Sequence, residues 1–112
     1  MTLIEMKSGQ VLVLDLSGEI DREAAKTFLQ RITQILDKGE QCLLVDFTEV
    51  TYINSTGLSA IILAAKRLEK SGGKFVLAGV IDPIQNVLRV AGLASLFPVV
   101  PTRAEALALF PQ

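Results

Sequence analysis

The chain contains no histidine and no tryptophan, and cysteine occurs only once, at Cys42. The absence of histidine removes the commonest general base and the commonest metal ligand, which excludes histidine-dependent catalytic triads and argues against zinc sites. One cysteine allows no internal disulfide, and its position in the apolar run 42–47 predicts a buried, inert thiol. We therefore expect a protein that is not an enzyme and that holds neither a cofactor nor a metal ion.

Long hydrophobic runs and an excess of positive charge are missing as well. The longest apolar run, residues 58–65, is interrupted by Ser59 and falls far short of the ~20 residues that cross a bilayer. Residues 1–9 lack the basic and then apolar pattern of a secretory signal. The net charge is −1, and the scarce aromatics form no stacking platform for bases. We expect a cytoplasmic protein that neither inserts into membranes nor binds nucleic acid.

What the chain does contain is typical of one globular domain. Of its 112 residues, 50% are hydrophobic and 21% are charged. That length supports a single hydrophobic core but not two. We predict one domain over residues 1–112.

Apolar runs and helical periodicity alternate along the chain. Strands are predicted at residues 3–6, 11–18, 42–47, 74–80 and 96–100, the last as an edge strand because it contains Pro98. Helices are predicted from the N-cap Asp21 to Gly39, from a polar link at 48–54 to Gly72, over 83–92, and over 102–110 with Thr102 as cap.

The resulting order is β-β-α-β-α-β-α-β-α, an α/β fold. A short turn at Ser8 and Gly9 predicts an antiparallel hairpin between the first two strands. Strands separated by helices require crossovers, so the remainder of the sheet is predicted to be parallel, with helices packed on it.

The second predicted helix has apolar residues on more than one face. Its core stripe is predicted to contain Leu58, Ile61, Ile62, Ala65 and Leu68. The opposite face carries Ala60, Leu63, Ala64 and Arg67, which is more apolar than a solvated face requires and would suit docking of a partner.

Two hydroxyls, Ser55 and Thr56, lie where this helix begins, within the stretch YINSTGLSAII at residues 52–62. Asn54, Ser55 and Thr56 are each able to cap the helix, and a plain cap is the simplest interpretation. Gly57 would leave the backbone of the first turn without side-chain cover. Sites in parallel sheets form at loops that leave the carboxyl ends of strands, which is where this stretch falls.

Two catalytic interpretations of the stretch fail. A Walker loop needs a glycine-rich cradle with lysine before the hydroxyl residue, and Ile53 and Asn54 occupy the corresponding positions. A nucleophile elbow needs a flanking glycine and a histidine base, which the chain lacks.

A third interpretation is that the hydroxyl is modified by another protein. A phosphoryl group on Ser55 would lie at a helix N-terminus, where the dipole favours an added charge of about −1.5 to −2. The fold should tolerate that charge, but a partner docked on the surface would not, since burying a dianion is costly. The pattern is typical of a binding switch.

Three stretches in order along the chain carry a family resemblance. SGEID at residues 17–21, residues 43–80 and residues 87–107 together resemble the STAS domain, the sulfate transporter and anti-sigma-factor antagonist family, in its small stand-alone form. The resemblance extends over essentially the whole chain without long gaps, and it implies the α/β fold predicted above.

The resemblance also implies a regulatory function in transcription. Antagonists of this family, when unphosphorylated, bind an anti-sigma factor that is also a serine kinase. The kinase phosphorylates the antagonist and a cognate phosphatase restores it. The family motif D-S-[ST]-G places the phosphorylated hydroxyl at Ser55, with Thr56 as the alternative. The family's G-E-[LI]-D stretch places Asp21 next to that loop, so the implied partner-binding residues are Asp21, Asn54, Ser55, Thr56 and Gly57.

One position departs from that motif. Asn54 stands where many members have aspartate, so the negative charge beside the hydroxyl is missing, and a kinase that reads the carboxylate would bind less well. The alternative is therefore a STAS interaction module of another regulatory pathway or of a lipid-transport complex. In that case no phosphorylation occurs and the serine is only a cap.

Overall fold

The computed structural model describes residues 1–111, and these form a five-stranded sheet with four α-helices. The elements are β1 (Thr2–Ser8), β2 (Val11–Ile20), α1 (Arg22–Asp37), β3 (Cys42–Ile53), α2 (Ser55–Ser71), β4 (Lys74–Ala78), α3 (Asp82–Val90), β5 (Val99–Val100) and α4 (Arg103–Leu107). A single 3₁₀ turn, Leu93–Ser95, precedes β5. The predicted β-β-α-β-α-β-α-β-α order is confirmed. No helix in residues 1–111 is both long and apolar enough to span a bilayer.

The strands lie in the order β1-β2-β3-β4-β5. β1 and β2 are antiparallel and are joined by a turn in which Gly9 has a φ of 61°, a conformation that glycine adopts without strain. Each later pair of neighbouring strands is parallel. The predicted mixed topology, a mostly parallel sheet with an N-terminal hairpin, is confirmed.

The helices cover the two faces of the sheet unequally. Helices α1, α2 and α3 bury their apolar faces on one side, in a core that includes Phe28, Phe47 and Ile61. The other side is covered by the short α4 and the residues after it, over a smaller cluster: Val11, Val13, Leu44, Val76, Ala78, Ala106 and Phe110. The first side therefore holds most of the core.

The predicted polar link at residues 48–54 is wrong, because β3 continues through it to Ile53. Val50 and Ile53 within this stretch are buried, while their neighbours face solvent. The register against β2 slips twice, between Asp15 and Ser17 and between Gly18 and Glu19 of β2, so β3 carries two bulges there. These extra residues break the simple alternation, which is why the segment resembled a loop.

Other element ends also differ from the prediction. β4 stops at Ala78 because Gly79 turns the chain with a φ of 72°. β5 is reduced to two residues between Pro98 and Pro101. α4 ends at Leu107 rather than at residue 110. Cys42 is partly exposed rather than buried.

The face of α2 predicted to be available for docking is occupied within the chain. Ala60 and Ala64 are completely buried. Arg67 on the same face pairs with Asp37 at the end of α1, at 3.0 Å between Nη2 and Oδ1. Small residues allow two helices to approach closely, so this apolar face serves the packing of α1 against α2 and not a partner.

A charged cluster ties α4 to the sheet. Arg103 donates to Asp46 at 2.8 Å and pairs with Asp15 at 2.9 Å, and Thr48 donates to Asp46 through its backbone and its hydroxyl. Burial raises the pKa of Asp46, but the hydrogen bonds from Thr48 and Arg103 outweigh burial and hold it below its usual range. Asp46 is thus a satisfied structural carboxylate.

Candidate functional site at the start of the second helix

Helices α1 and α2 begin side by side at the carboxyl edge of the sheet. Ile20 and Ile53, the last residues of β2 and β3, are in register with each other. The backbone N–H of Asn54 donates to the carbonyl of Ile20 at 3.1 Å, which holds the two strand ends together. Asp21 and Asn54 therefore occupy equivalent positions, each directly after the end of one of two neighbouring strands.

Both helices begin with a side-chain cap of the same geometry. The Oδ1 atom of Asn54 accepts from the N–H of Gly57 at 2.9 Å, and that of Asp21 accepts from the N–H of Ala24 at 3.1 Å. Both cap residues are extended, as N-caps are. Of the three residues that could cap α2, Asn54 is the one that does so.

Ser55 is consequently not needed as a cap. It is the first residue of α2 and is exposed, and its hydroxyl takes part in none of the hydrogen bonds found among residues 1–111. Its carbonyl accepts from the hydroxyl of Ser59 at 3.0 Å. Thr56 is partly buried, so the two neighbouring hydroxyls differ in their accessibility.

Gly57 allows the first turn of α2 to lie against the ends of the two strands. A Cβ at this position would approach Ile53 Cγ1 to 2.6 Å and Ile20 Cγ2 to 3.0 Å. The residue is buried, and its N–H is bound by Asn54. The expected exposure of the backbone at Gly57 is therefore wrong: this glycine permits close packing instead.

The dipole of α2 favours a negative charge at this helix start. The first turn of α2 contains no acidic residue, so the positive end of its dipole is not neutralised within the helix. Asp21 and Glu23, by contrast, lie at the start of α1. In the part of the chain that the structure describes, no group of three potential ligands could hold a metal ion. What the site offers is an accessible hydroxyl beside free helix N–H groups.

The structure brings all five residues of the predicted site into two adjacent loops and helix turns. Sequence reasoning missed the walls of that site, Ile20 and Ile53, which fix the position of Gly57. A signal for them was present, because each precedes a helix cap as Ile-Asp or Ile-Asn.

The model of the STAS domain family matches residues 5–106. The chain belongs to the STAS domain family. BtrV of Bordetella bronchiseptica, named as a candidate anti-sigma factor antagonist, is 31% identical over 98% of this chain and 95% of its own. The anti-sigma-B factor antagonist of Listeria monocytogenes is 30% identical over 86% of each chain.

A solved structure agrees closely with this fold. The crystal structure of an anti-sigma factor antagonist from Mycobacterium paratuberculosis has a TM-score of 0.86 and 27% identity, covering 96% of this chain and 91% of that one. These relatives are named for a regulatory antagonism and not for a reaction.

Proposed function

We propose that this protein is an anti-sigma factor antagonist whose binding is controlled by phosphorylation of Ser55. In the unphosphorylated state it binds an anti-sigma factor that is also a serine kinase, and the sigma factor is released. Phosphorylation ends that binding, and a phosphatase restores it. Similar proteins of comparable length bear the name of antagonist, which supports this assignment.

The observation that carries the proposal is the division of labour between Asn54 and Ser55. Asn54 performs the capping, so the exposed hydroxyl of Ser55 has no structural task in the chain. A kinase can therefore reach it, and its modification removes no contact on which α2 depends. Thr56 is the poorer acceptor because it is partly buried.

The phosphoryl group would act on the partner rather than on the fold. At the start of α2 its charge of about −1.5 to −2 is compatible with the dipole and with the free N–H groups. A docked protein surface would have to bury that charge or move away. Exposed Asp21 on the neighbouring loop extends the same surface and would add to the repulsion of an acidic partner.

The remaining predicted contact residues have separate parts in this proposal. Asn54 and Thr56 are partly exposed at the loop rim and are available to a partner. Gly57 is buried, so it contributes by setting the position of Ser55. Asn54 also keeps the loop free of a second negative charge before phosphorylation.

The proposal is tested by intact-mass spectrometry of the protein isolated from its own cells. Wild type should carry one phosphoryl group under some growth conditions, and Ser55→Ala should never carry it. Thr56→Ala is the matched control and should be phosphorylated like wild type. A phosphate that persists in Ser55→Ala, or none in wild type under any condition, would contradict the switch and favour a STAS scaffold module without phosphorylation.

A further inference from the structure

The two edges of the sheet are built differently. β5, at one edge, has two residues and is flanked by Pro98 and Pro101, which prevents further strand pairing. β1, at the other edge, has seven residues in regular register with β2, without proline, glycine or a bulge. Its outer backbone groups are therefore available to another strand.

The side chains of β1 separate by face. Leu3, Glu5 and Lys7 lie on the side of α1, where Glu5 pairs with Arg31 and Lys7 pairs with Glu40 at 2.8 Å. The other face of the strand carries Ile4 and Met6, whose side chains are 52% and 40% exposed. Large apolar residues exposed on a long, regular edge strand are typical of a pairing site.

We propose that β1 pairs with β1 of a second copy of this chain, antiparallel and centred on Met6, to form a continuous ten-stranded sheet. The occupant is identified by charge complementarity. With Met6 opposite Met6 of the second copy, Glu5 of each copy lies directly opposite Lys7 of the other, on the side of the α1 helices. Opposite charges at directly paired positions stabilise an antiparallel pair.

Neighbouring registers lack this match. In an antiparallel pair, directly opposite residues lie on the same face of the sheet. Any change of register therefore keeps odd-numbered residues opposite odd-numbered residues. Centring the pair on Glu5 or on Lys7 would set like charges opposite each other. Centring it on Ile4 would set Glu5 opposite Leu3. Only the register centred on Met6 forms two ion pairs across the interface.

The arrangement leaves both proposed phosphorylation sites accessible. The antiparallel β1 pair relates the two copies by a two-fold axis, which reverses the direction of their strands. The carboxyl ends of β2 in the two copies therefore point in opposite directions along the strands. Each Ser55 is then free to meet its own partner. One short strand from each copy buries little surface, so we expect weak association, with a dissociation constant on the order of tens of micromolar.

Disulfide cross-linking tests the register. In a Cys42→Ser background, Met6→Cys should form a disulfide-linked dimer under mild oxidation, because directly opposite Cα atoms lie about 4.5–5.5 Å apart, within disulfide range. Ile4→Cys is the matched control and should stay monomeric, since its counterpart would lie about 14 Å away along the strand. Cross-linking of Ile4→Cys without Met6→Cys, or of neither, would overturn the proposal.

Sedimentation velocity over a range of concentrations tests the charge match without a cysteine. Wild type should associate reversibly, and Lys7→Glu, which places an acid opposite each Glu5, should associate about tenfold more weakly. Its fold should be retained, because exposed ion pairs contribute little to stability. Lys66→Glu makes the same charge change on α2 and should behave like wild type. A monomeric wild type at every concentration, or equal association of Lys7→Glu, would overturn the proposal.

Discussion

Helices α1 and α2 begin at equivalent positions on adjacent strands, but their first turns differ in charge. α1 starts with the charged cap Asp21 and has Glu23 in its first turn. α2 starts with the neutral cap Asn54 and has no acid in its first turn, although Ser55 is exposed there. The comparison teaches that capping and charge neutralisation are separable: α2 is capped, yet its positive end remains available for a charge added later.

The largest predicted effect is on partner binding, tested with one substitution at the first position of each helix. Ser55→Glu should lose the anti-sigma factor in affinity capture from the native cells, because it introduces a fixed charge where the partner docks. Arg22→Glu changes the equivalent residue of α1 and should retain substantially more of that partner. Equal retention by the two variants would mean that the start of α2 is not the controlled surface.

The next effect concerns the third position of each helix, which is Gly57 in α2 and Ala24 in α1. Gly57→Ala should lower the free energy of unfolding by about 1–3 kcal/mol, because its Cβ has no room beside Ile53 and Ile20. Ala24→Gly should cost only about 0.5–1 kcal/mol, through backbone entropy. Urea denaturation of both variants measures the difference, and a stabilised Gly57→Ala would refute the packing argument.

Removal of the caps should affect the two helices alike. Asn54→Ala and Asp21→Ala each delete one hydrogen bond to a helix N–H and should each destabilise the protein by about 1 kcal/mol. Asn54→Asp keeps the bond and should retain most of that stability. Thermal unfolding of the three variants separates loss of the cap from change of charge. An Asn54→Ala variant as stable as wild type would show that another residue caps α2.

The smallest effect is a gain in stability from an acid at the start of α2. Ser55→Glu should raise the free energy of unfolding by about 0.3–1 kcal/mol at low salt, since the first turn of α2 has no acid of its own. Salt should reduce the gain. Arg22→Glu should gain less, because Asp21 and Glu23 are already near. Urea titrations at two ionic strengths measure the free energy of unfolding of each variant. A Ser55→Glu variant less stable than wild type would contradict the dipole argument.

The sequence predicted those parts of the molecule that follow from local pattern. Apolar runs, caps and glycines located the strands and helices, and Asp21 and Thr102 cap their helices as expected. The extension of β3 to Ile53 was missed because bulges hide the period of alternation, and bulges depend on pairing with β2. The same dependence on tertiary contact explains the misassigned face of α2, whose alanines pack within the chain.

The candidate site was predictable by residue but not by role. Nothing in the order Asn54, Ser55, Thr56 decides which residue caps the helix, because all three have a suitable oxygen. The pairing of Ile20 with Ile53 sets the position of that loop, and such pairing between distant segments is visible only in the folded chain.

The most direct test of the central claim is calorimetric titration of one partner against two forms of wild-type protein. The partner is the anti-sigma factor recovered by affinity capture, and the two forms are fully unphosphorylated and singly phosphorylated at Ser55. We expect the unphosphorylated form to bind and the phosphorylated form to bind at least about a hundredfold more weakly, a difference of ~3 kcal/mol. Equal affinities would contradict the claim that charge at the start of α2 controls binding.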